Sequence, residues 1–404
     1  MKILLVTPYS PLARHDHAAN DLAMPLVEAL APHIDLHVYA PGQRNGDLRD
    51  WQIDGVTFHA GSPVQLSRRD RLGVYPYGAR ASWSAQSTKE SVALARRLRP
   101  DVVHAEYWAA VEPLFKLHRE MPTSLAPHDV PDDGMTIPPA GQSVYQRCLD
   151  RHELAKRRRV ARALTTKIDS LLLFSEGDRK KLEGSRCLIN VAPPGLTPPT
   201  TSWSGGEAHV AAFGGAMWRL ENEATAIHLA RDVMPLVRDS VPDAQLRIFG
   251  ARPTETVRAL GNQPGITVLG EVTDYDGQFC DAQVALAPSM TEAGILIKSM
   301  RAMAIGCPVV LNGASARPIV GLEPGVHALV GHTPREFADH VITLMSDTSR
   351  AARIGQSARS FVLENYGWDR SVAAYLAAFH QLVRASPSSG FTRPVSEARH
   401  PAPS

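Results

Sequence analysis

Two stretches of this chain combine residue types that could hold and move a phosphate-bearing group. In HVAAFGGAMWRLENEA, His209 to Ala224, an apolar run ends in Gly214 and Gly215. With no Cβ atoms in the way, these glycines would let a diphosphate or a sugar approach the backbone, although many α/β proteins use such a pair only for a tight turn. In SMTEAGILIKSMRAMAIGCPVV, Ser289 to Val310, a loop from Ser289 to Gly294 leads into a helical pattern expected to begin near Ile295. Backbone N–H groups with no helical partner, together with the helix dipole, favour an anion at such a place. Lys298, one turn in, adds a cation that could neutralise a departing phosphate. The alternative is a solvated surface lysine. Arg301 follows three residues later on the same face.

Polar residues in the first half gather where apolar runs end. The segment ARHDHAAND carries His15, Asp16, His17 and Asn20 ahead of a helical pattern, DVVHAEYW carries His104 and Glu106, and APHDV carries His128 and Asp129. Two histidines flanking one aspartate on a loop are more often solvated or hydrogen-bonded than metal-bound, and no further ligand is evident, so no metal is expected.

These residues need parallel sheets to position them. Short apolar runs ending in Gly, Pro or Ser recur along the chain, most with gaps long enough for a helix, which predicts parallel α/β structure. One series runs from Lys2–Thr7 to Cys187–Ala192, and a second starts afresh at His209–Phe213 and ends at His327–Val330. Between them APPGLTPPTTSWSGGE, Ala192 to Glu207, is too rich in Pro and Gly to be the interior of an element and reads as a linker. A length of 404 residues also exceeds what one core comfortably covers, so two domains are expected, residues 1–197 and 198–365. Between Asp369 and Val383, the residues Val372, Tyr375, Leu376, Phe379, Leu382 and Val383 share a helical stripe that must pack on something. Residues 366–385 are assigned to this helix and 386–404, nearly devoid of apolar side chains, to a disordered tail.

Bulk composition excludes several classes. A net charge of +2, from 43 basic and 41 acidic residues, lacks the excess that drives nucleic-acid binding, so no such partner is expected. The four cysteines form no CxxC pair and read as free core thiols of a reducing compartment. The first apolar run is too short for a signal peptide, and no stretch is long enough to span a membrane, which makes a cytoplasmic location the expectation. The helical segment LAKRRRVARALTTK, Leu154 to Lys167, concentrates basic residues; it is either a solvated face or a peripheral contact with the acidic inner face of the cytoplasmic membrane.

The segments His209–Gly250 and Val272–Leu322, together with YGWDRSVAAYLAAF, Tyr366 to Phe379, resemble the group 1, family 4 glycosyltransferases of the GT-B fold. The resemblance runs from Met1 to about Ala385. It implies two Rossmann-like domains with parallel sheets facing across a cleft and a C-terminal helix crossing back to the first domain. It further implies sugar transfer from a nucleotide-sugar donor to a glycan, lipid-linked or small-molecule acceptor, with retention and with no cofactor, in cell-envelope or exopolysaccharide synthesis. Donor contacts carried over from the motifs fall on Gly214, Gly215, Gly250, Val272, Ala293, Gly294, Ile295 and Arg301. His15, His17, Asn20, His104, Glu106 and Asp129 would line the acceptor side. His128 would position the donor sugar, or simply cap its strand, while Lys298 and Arg219 would offset the leaving charge. The chain departs from the family at Ala216, where a cation is usual and Arg219 is the nearest substitute, at Ala293, and at Arg301. The last stands where a glutamate accepts from the ribose, and an arginine has no acceptor. An inactive scaffold partnering an active transferase, or a nucleotide-sugar epimerase of the same fold, are the alternatives that these departures leave open.

Overall fold

The structure is a computed structural model, and residues 1–9, 20–42, 53–66, 73–128, 144–182, 185–291 and 295–385 are described. The expectations for His15, His17, Asp129, Ala293, Gly294 and the segment 386–404 lie outside the described residues, and Asn20 is described only as the first backbone position of the helix Asn20–Leu30. The first sheet contains β1 (Lys2–Val6), β2 (Asp35–Pro41), β3 (Val56–Gly61), β4 (Val102–Glu106), β5 (Thr123–Ala126), β6 (Ser170–Leu173) and β7 (Leu188–Val191). Its seven strands are parallel, in the order β3-β2-β1-β4-β5-β6-β7. The second contains β8 (Glu207–Gly214), β9 (Gln245–Phe249), β10 (Ile266–Gly270), β11 (Ala282–Leu286), β12 (Val309–Asn312) and β13 (Leu329–Gly331). It repeats the pattern with six parallel strands, β10-β9-β8-β11-β12-β13.

Both sheets are covered on two faces, which is why their strands read as unbroken apolar runs rather than alternating ones. The period of two is visible in where side chains go. Leu4 and Val6 enter one core cluster while Ile3 and Leu5 enter another on the opposite face. In the second sheet Ala211 and Phe213 point one way, Val210 and Ala212 the other. The strand order reverses between β1 and β4 and again between β8 and β11, and in open α/β sheets ligands bind beyond the carboxyl ends at such points. Among the described site candidates, Glu106 and Gly214 end β4 and β8, and His128 and Gly250 lie just beyond β5 and β9.

No strand or helix occupies the segment between Val191 and Glu207, so the predicted linker separates the sheets. It is held rather than loose: Leu196 N donates to Tyr366 O at 2.7 Å, Trp368 Nε1 to Thr197 Oγ1 at 3.0 Å, and Trp203 Nε1 to Ala282 O at 2.7 Å. Gly195 is required here, because a Cβ would lie 2.3 Å from the Trp368 ring. From this anchor the helix Trp368–Ala385 crosses to the first domain. Val372, Tyr375, Ala378, Phe379 and Leu382 are buried with Ile3, Leu5, Leu26 and Leu30. The packed helix expected from the apolar stripe is present, and it crosses to the first domain as the family resemblance implies.

The cysteines are free, but only Cys307 is a fully buried thiol; Cys148 is exposed, and Cys187 and Cys280 are partly so, which corrects the expectation of core positions. An apolar neighbourhood in sequence does not fix which face of a helix a residue takes. Lys156 also departs from the solvated-face expectation, since it is buried and donates to Glu153 Oε1 at 2.7 Å. Phe379 has no exposed surface and is far in sequence from the sheet it covers. Phe379→Ala should therefore lower unfolding free energy in urea by about 3 to 5 kcal/mol, the usual cost of removing a buried aromatic. A loss below about 1 kcal/mol, the scale of a surface change, would contradict the docked helix.

Candidate active site

On the second domain the carboxyl ends of β8, β9 and β11 meet. Gly250 has φ 127°, and a Cβ there would sit 1.9 Å from Gly215 O, so the turns after β8 and β9 pack backbone to backbone. A Cβ on Gly214 would meet the Tyr275 hydroxyl at 2.6 Å, and one on Gly215 would meet Asn222 Nδ2 at 2.9 Å. The glycine pair is thus demanded first by its own neighbours. The same bareness leaves the backbone open to a ligand.

The helix bearing Lys298 runs Ile297–Ile305 and begins later than Ile295 because Ile295 is drawn into the core and Leu296 stays extended as an N-cap with no side-chain cap of its own. Leu296 O takes the N–H groups of Ser299 and Met300, leaving Ile297 and Lys298 at an uncapped start. Lys298 Nζ donates to Asn222 Oδ1 at 2.7 Å and lies 4.4 Å from the Phe213 ring centroid. Asn222 Nδ2 donates in turn to Ala216 O at 3.0 Å, so one amide joins the lysine to the turn after Gly215. Lys298 is not a solvated surface lysine. Although the residue keeps part of its area exposed, desolvation of the ammonium is the largest influence on it; attraction to Glu221 opposes and repulsion from Arg219 adds, and its pKa falls to about 7. Arg219 is the N-cap of the helix Leu220–His228 and pairs with Glu221.

Arg301 lies one turn beyond Lys298, with Nε 2.9 Å and Nη2 2.8 Å from Asp276 Oδ1 and its guanidinium 5.2 Å from the Tyr275 ring centroid. Its charge is already met by a carboxylate from the helix Tyr275–Cys280. Val272, just ahead of that helix, is partly buried against the same core cluster. Tyr275 therefore touches both Gly214 and Arg301, placing Arg301 beside the glycine turn.

On the first domain, His104 and Glu106 from β4 and His128 from the end of β5 converge. His104 Nε2 lies 2.8 Å from Glu106 Oε1 and its Nδ1 lies 3.0 Å from Ser124 Oγ, while His128 Nε2 meets Glu106 Oε2 in a short contact. Tyr375, from the crossing helix, donates to Glu106 Oε1 at 2.9 Å. Burial alone would push the Glu106 carboxyl up; hydrogen bonds from His104 and His128, and attraction to both rings, reverse this and hold it down to about 2. Burial and the neighbouring Glu106 carboxylate raise Tyr375 well above its ordinary value, so it is a donor. His128 itself has φ 63° and stacks on Tyr107 with centroids 3.6 Å apart, and Tyr107 also has a positive φ, 68°. Two adjoining residues in a conformation that costs energy mark a strand end held in place by its surroundings.

The structure thus gathers Gly214, Gly215, Gly250, Lys298, Arg219 and Arg301 at one corner, and His104, Glu106 and His128 at another. Sequence reasoning missed Asn222, Tyr275, Asp276 and Tyr375. Asn222 follows the glycine pair at the start of a helix, a position with a readable polar signal. Tyr375 was visible only as part of an apolar stripe.

Residues 208–347 match the family model described as glycosyl transferases group 1. Among relatives, the D-inositol 3-phosphate glycosyltransferase of Xylanimonas cellulosilytica is 25% identical over 333 residues, spanning 71% of this chain and 73% of that one. Among solved structures, the sucrose-phosphate synthase of Thermosynechococcus elongatus superposes with a TM-score of 0.71 at 15% identity, covering 96% of this chain and 100% of the other. HepE from Anabaena, in complex with UDP and glucose, gives 0.65 at 14% identity over 94% and 99%.

A depressed lysine carries a stability signature. The unfolded chain keeps the Lys298 proton up to its ordinary value of 10.5, whereas the folded chain releases it near 7, so the unfolded state binds more protons in that window. The lysine's cost is greatest below about pH 7 and is relieved as pH rises towards 10.5. Lys298→Met should therefore melt higher than the unaltered chain at pH 6, by several degrees, with the advantage shrinking at pH 9. Equal melting temperatures at pH 6 would contradict the desolvated lysine.

Proposed function

We propose that this chain, a group 1 glycosyltransferase on a GT-B fold, transfers a sugar from a nucleotide diphosphate to an acceptor hydroxyl, with retention at the anomeric carbon. The observation that carries this reading is the Lys298–Asn222 contact, which fixes an under-compensated cation between the glycine turn and an uncapped helix start. A diphosphate fits that place because backbone N–H groups, helix dipole and ammonium all favour negative charge. In this reading these groups supply the charge compensation, and no metal takes part.

The bond from the anomeric carbon to the diphosphate breaks as negative charge grows on the leaving oxygen. Lys298, whose pKa of about 7 leaves it readily charged by a neighbouring anion, stabilises that charge. The acceptor hydroxyl attacks from the same face and its proton passes to the leaving phosphate oxygen, so no protein nucleophile is required. His128, fixed by Glu106, orients the sugar.

The acceptor is a glycan, a lipid-linked sugar or a small polyol. The relative from Xylanimonas is named for inositol phosphate, which supports a polyol; HepE, solved with UDP and glucose, supports a nucleoside diphosphate on the donor side. The exposed Arg159 and Arg162 on the helix Val144–Lys167 favour work at an acidic membrane surface, and no described helix is long and apolar enough to cross one. The pathway that follows is cell-envelope or exopolysaccharide synthesis. A catalytically inactive scaffold is the competing reading, favoured by one observation: Arg301, where a ribose acceptor is expected, is committed to Asp276.

Calorimetry against UDP, GDP and ADP decides between them. One diphosphate should bind, and Lys298→Ala should cut turnover with its sugar by roughly a hundredfold while weakening donor binding much less. Absence of binding by all three would favour the scaffold. Unaltered affinity and turnover in Lys298→Ala would remove the diphosphate from this corner.

A further inference from the structure

Glu106 is fully buried and ionised, and each of its oxygens has a different task. Oε1 accepts from Tyr375 at 2.9 Å and from His104 at 2.8 Å, while Oε2 accepts from His128. His104 is itself fixed from behind, its Nδ1 lying 3.0 Å from Ser124 Oγ, a hydroxyl that can donate to it. With Oε1 saturated by two donors, the carboxyl plane cannot rotate without breaking both bonds. Oε2 is therefore aimed at His128 Nε2. An imidazole that donates from Nε2 keeps its lone pair on Nδ1 when neutral, and Nδ1 of His128 has no hydrogen-bond partner among the described residues.

We infer that Tyr375, reaching from the crossing helix, is a positioning residue: it locks Glu106 so that His128 is held in one tautomer, with Nδ1 offered as a hydrogen-bond acceptor for a sugar hydroxyl. This rests on the transferase reading above for the identity of the ligand, and on the geometry alone for the tautomer. It gives the crossing helix a task beyond covering apolar surface. Tyr375 is 269 residues away from Glu106 in sequence and belongs to the segment that follows the donor domain, so His128 is oriented only when that segment has returned to the first domain. A chain with its donor domain still unfolded would have β4 and β5 but no tyrosine on Glu106.

The hydroxyl can be separated from the packing. Tyr375→Phe keeps the ring against His104, at a centroid distance of 5.5 Å, and against Phe379, at 6.1 Å, and removes only the donor. Leu382→Ala loosens the same helix without touching Glu106, and serves as the control for a purely structural effect. Nitrogen-15 NMR of the histidine rings in the full chain, with His128 assigned by His128→Gln, reads the tautomer without donor or acceptor. The unaltered chain and Leu382→Ala should both show Nε2 protonated and Nδ1 bare. Tyr375→Phe should show averaged shifts from a mixture of tautomers, and turnover lowered at least tenfold relative to Leu382→Ala, with the donor KM changed by less than threefold. A single unshifted tautomer in Tyr375→Phe would overturn the proposal, as would a mixed tautomer with turnover equal to the control. A tautomer that mixes in a chain where even the unaltered protein transfers no sugar would overturn the transferase reading and leave the lock on His128 standing.

Discussion

An ammonium group taken out of water must be compensated, and at Lys298 the compensation is incomplete. One amide oxygen and the face of one phenyl ring receive it, and Glu221, whose carboxylate attracts it, is paired with Arg219. Most of this corner of the second domain follows from seating that group. Phe213 reaches it from the end of β8, and Asn222 can bridge to Ala216 O only because Gly215 leaves room for its amide. Gly250 must lack a side chain so that the neighbouring turn can close on Gly215, and Gly214 so that Tyr275 can. A cation held this way is poised for an anion. A negative group placed beside it would meet a charge that its described neighbours only partly compensate.

Across the molecule the first domain solves the opposite problem. Glu106 is buried more completely, yet three donors surround it and its carboxyl is pulled down to about 2. The lysine is left wanting a partner while the glutamate is given several. That difference leaves the lysine sensitive to any added negative charge and holds the glutamate, with the residues that donate to it, in one arrangement. The crossing helix is the physical link, since it is anchored at Trp368 beside the linker and carries Tyr375 to the carboxylate.

Parallel strands were legible because burial on both faces leaves runs such as Lys2–Val6 with no polar alternation to confuse them, and Pro and Gly marked the linker unambiguously. The terminal helix was legible from its stripe, and its crossing to the first domain only from the family resemblance. The start of the helix at Ile297 was not, because whether Ile295 extends a helix or enters the core depends on a contact made by tertiary structure. Lys298 was found from its place after a loop, but its burial could not be, since that depends on Asn222 and Phe213 arriving from elsewhere in the chain. By family position Arg301 stands out only as a residue that cannot accept from a ribose; its partner Asp276 lies 25 residues earlier on another helix. Tyr375 sat in an apolar stripe where a hydroxyl gives no separate signal. Pairings between distant elements are what one sequence conceals.

The most direct measurement is the titration of Lys298 itself, by NMR of the chain carrying carbon-13 methyl labels on its lysines, with the signal assigned by Lys298→Met. In the free protein the label should titrate near 7, well below the ordinary 10.5, and saturating the preferred nucleoside diphosphate should move that midpoint upward by at least one unit. A midpoint near 10.5 that no nucleotide alters would contradict both the desolvated lysine and the diphosphate seat built around it.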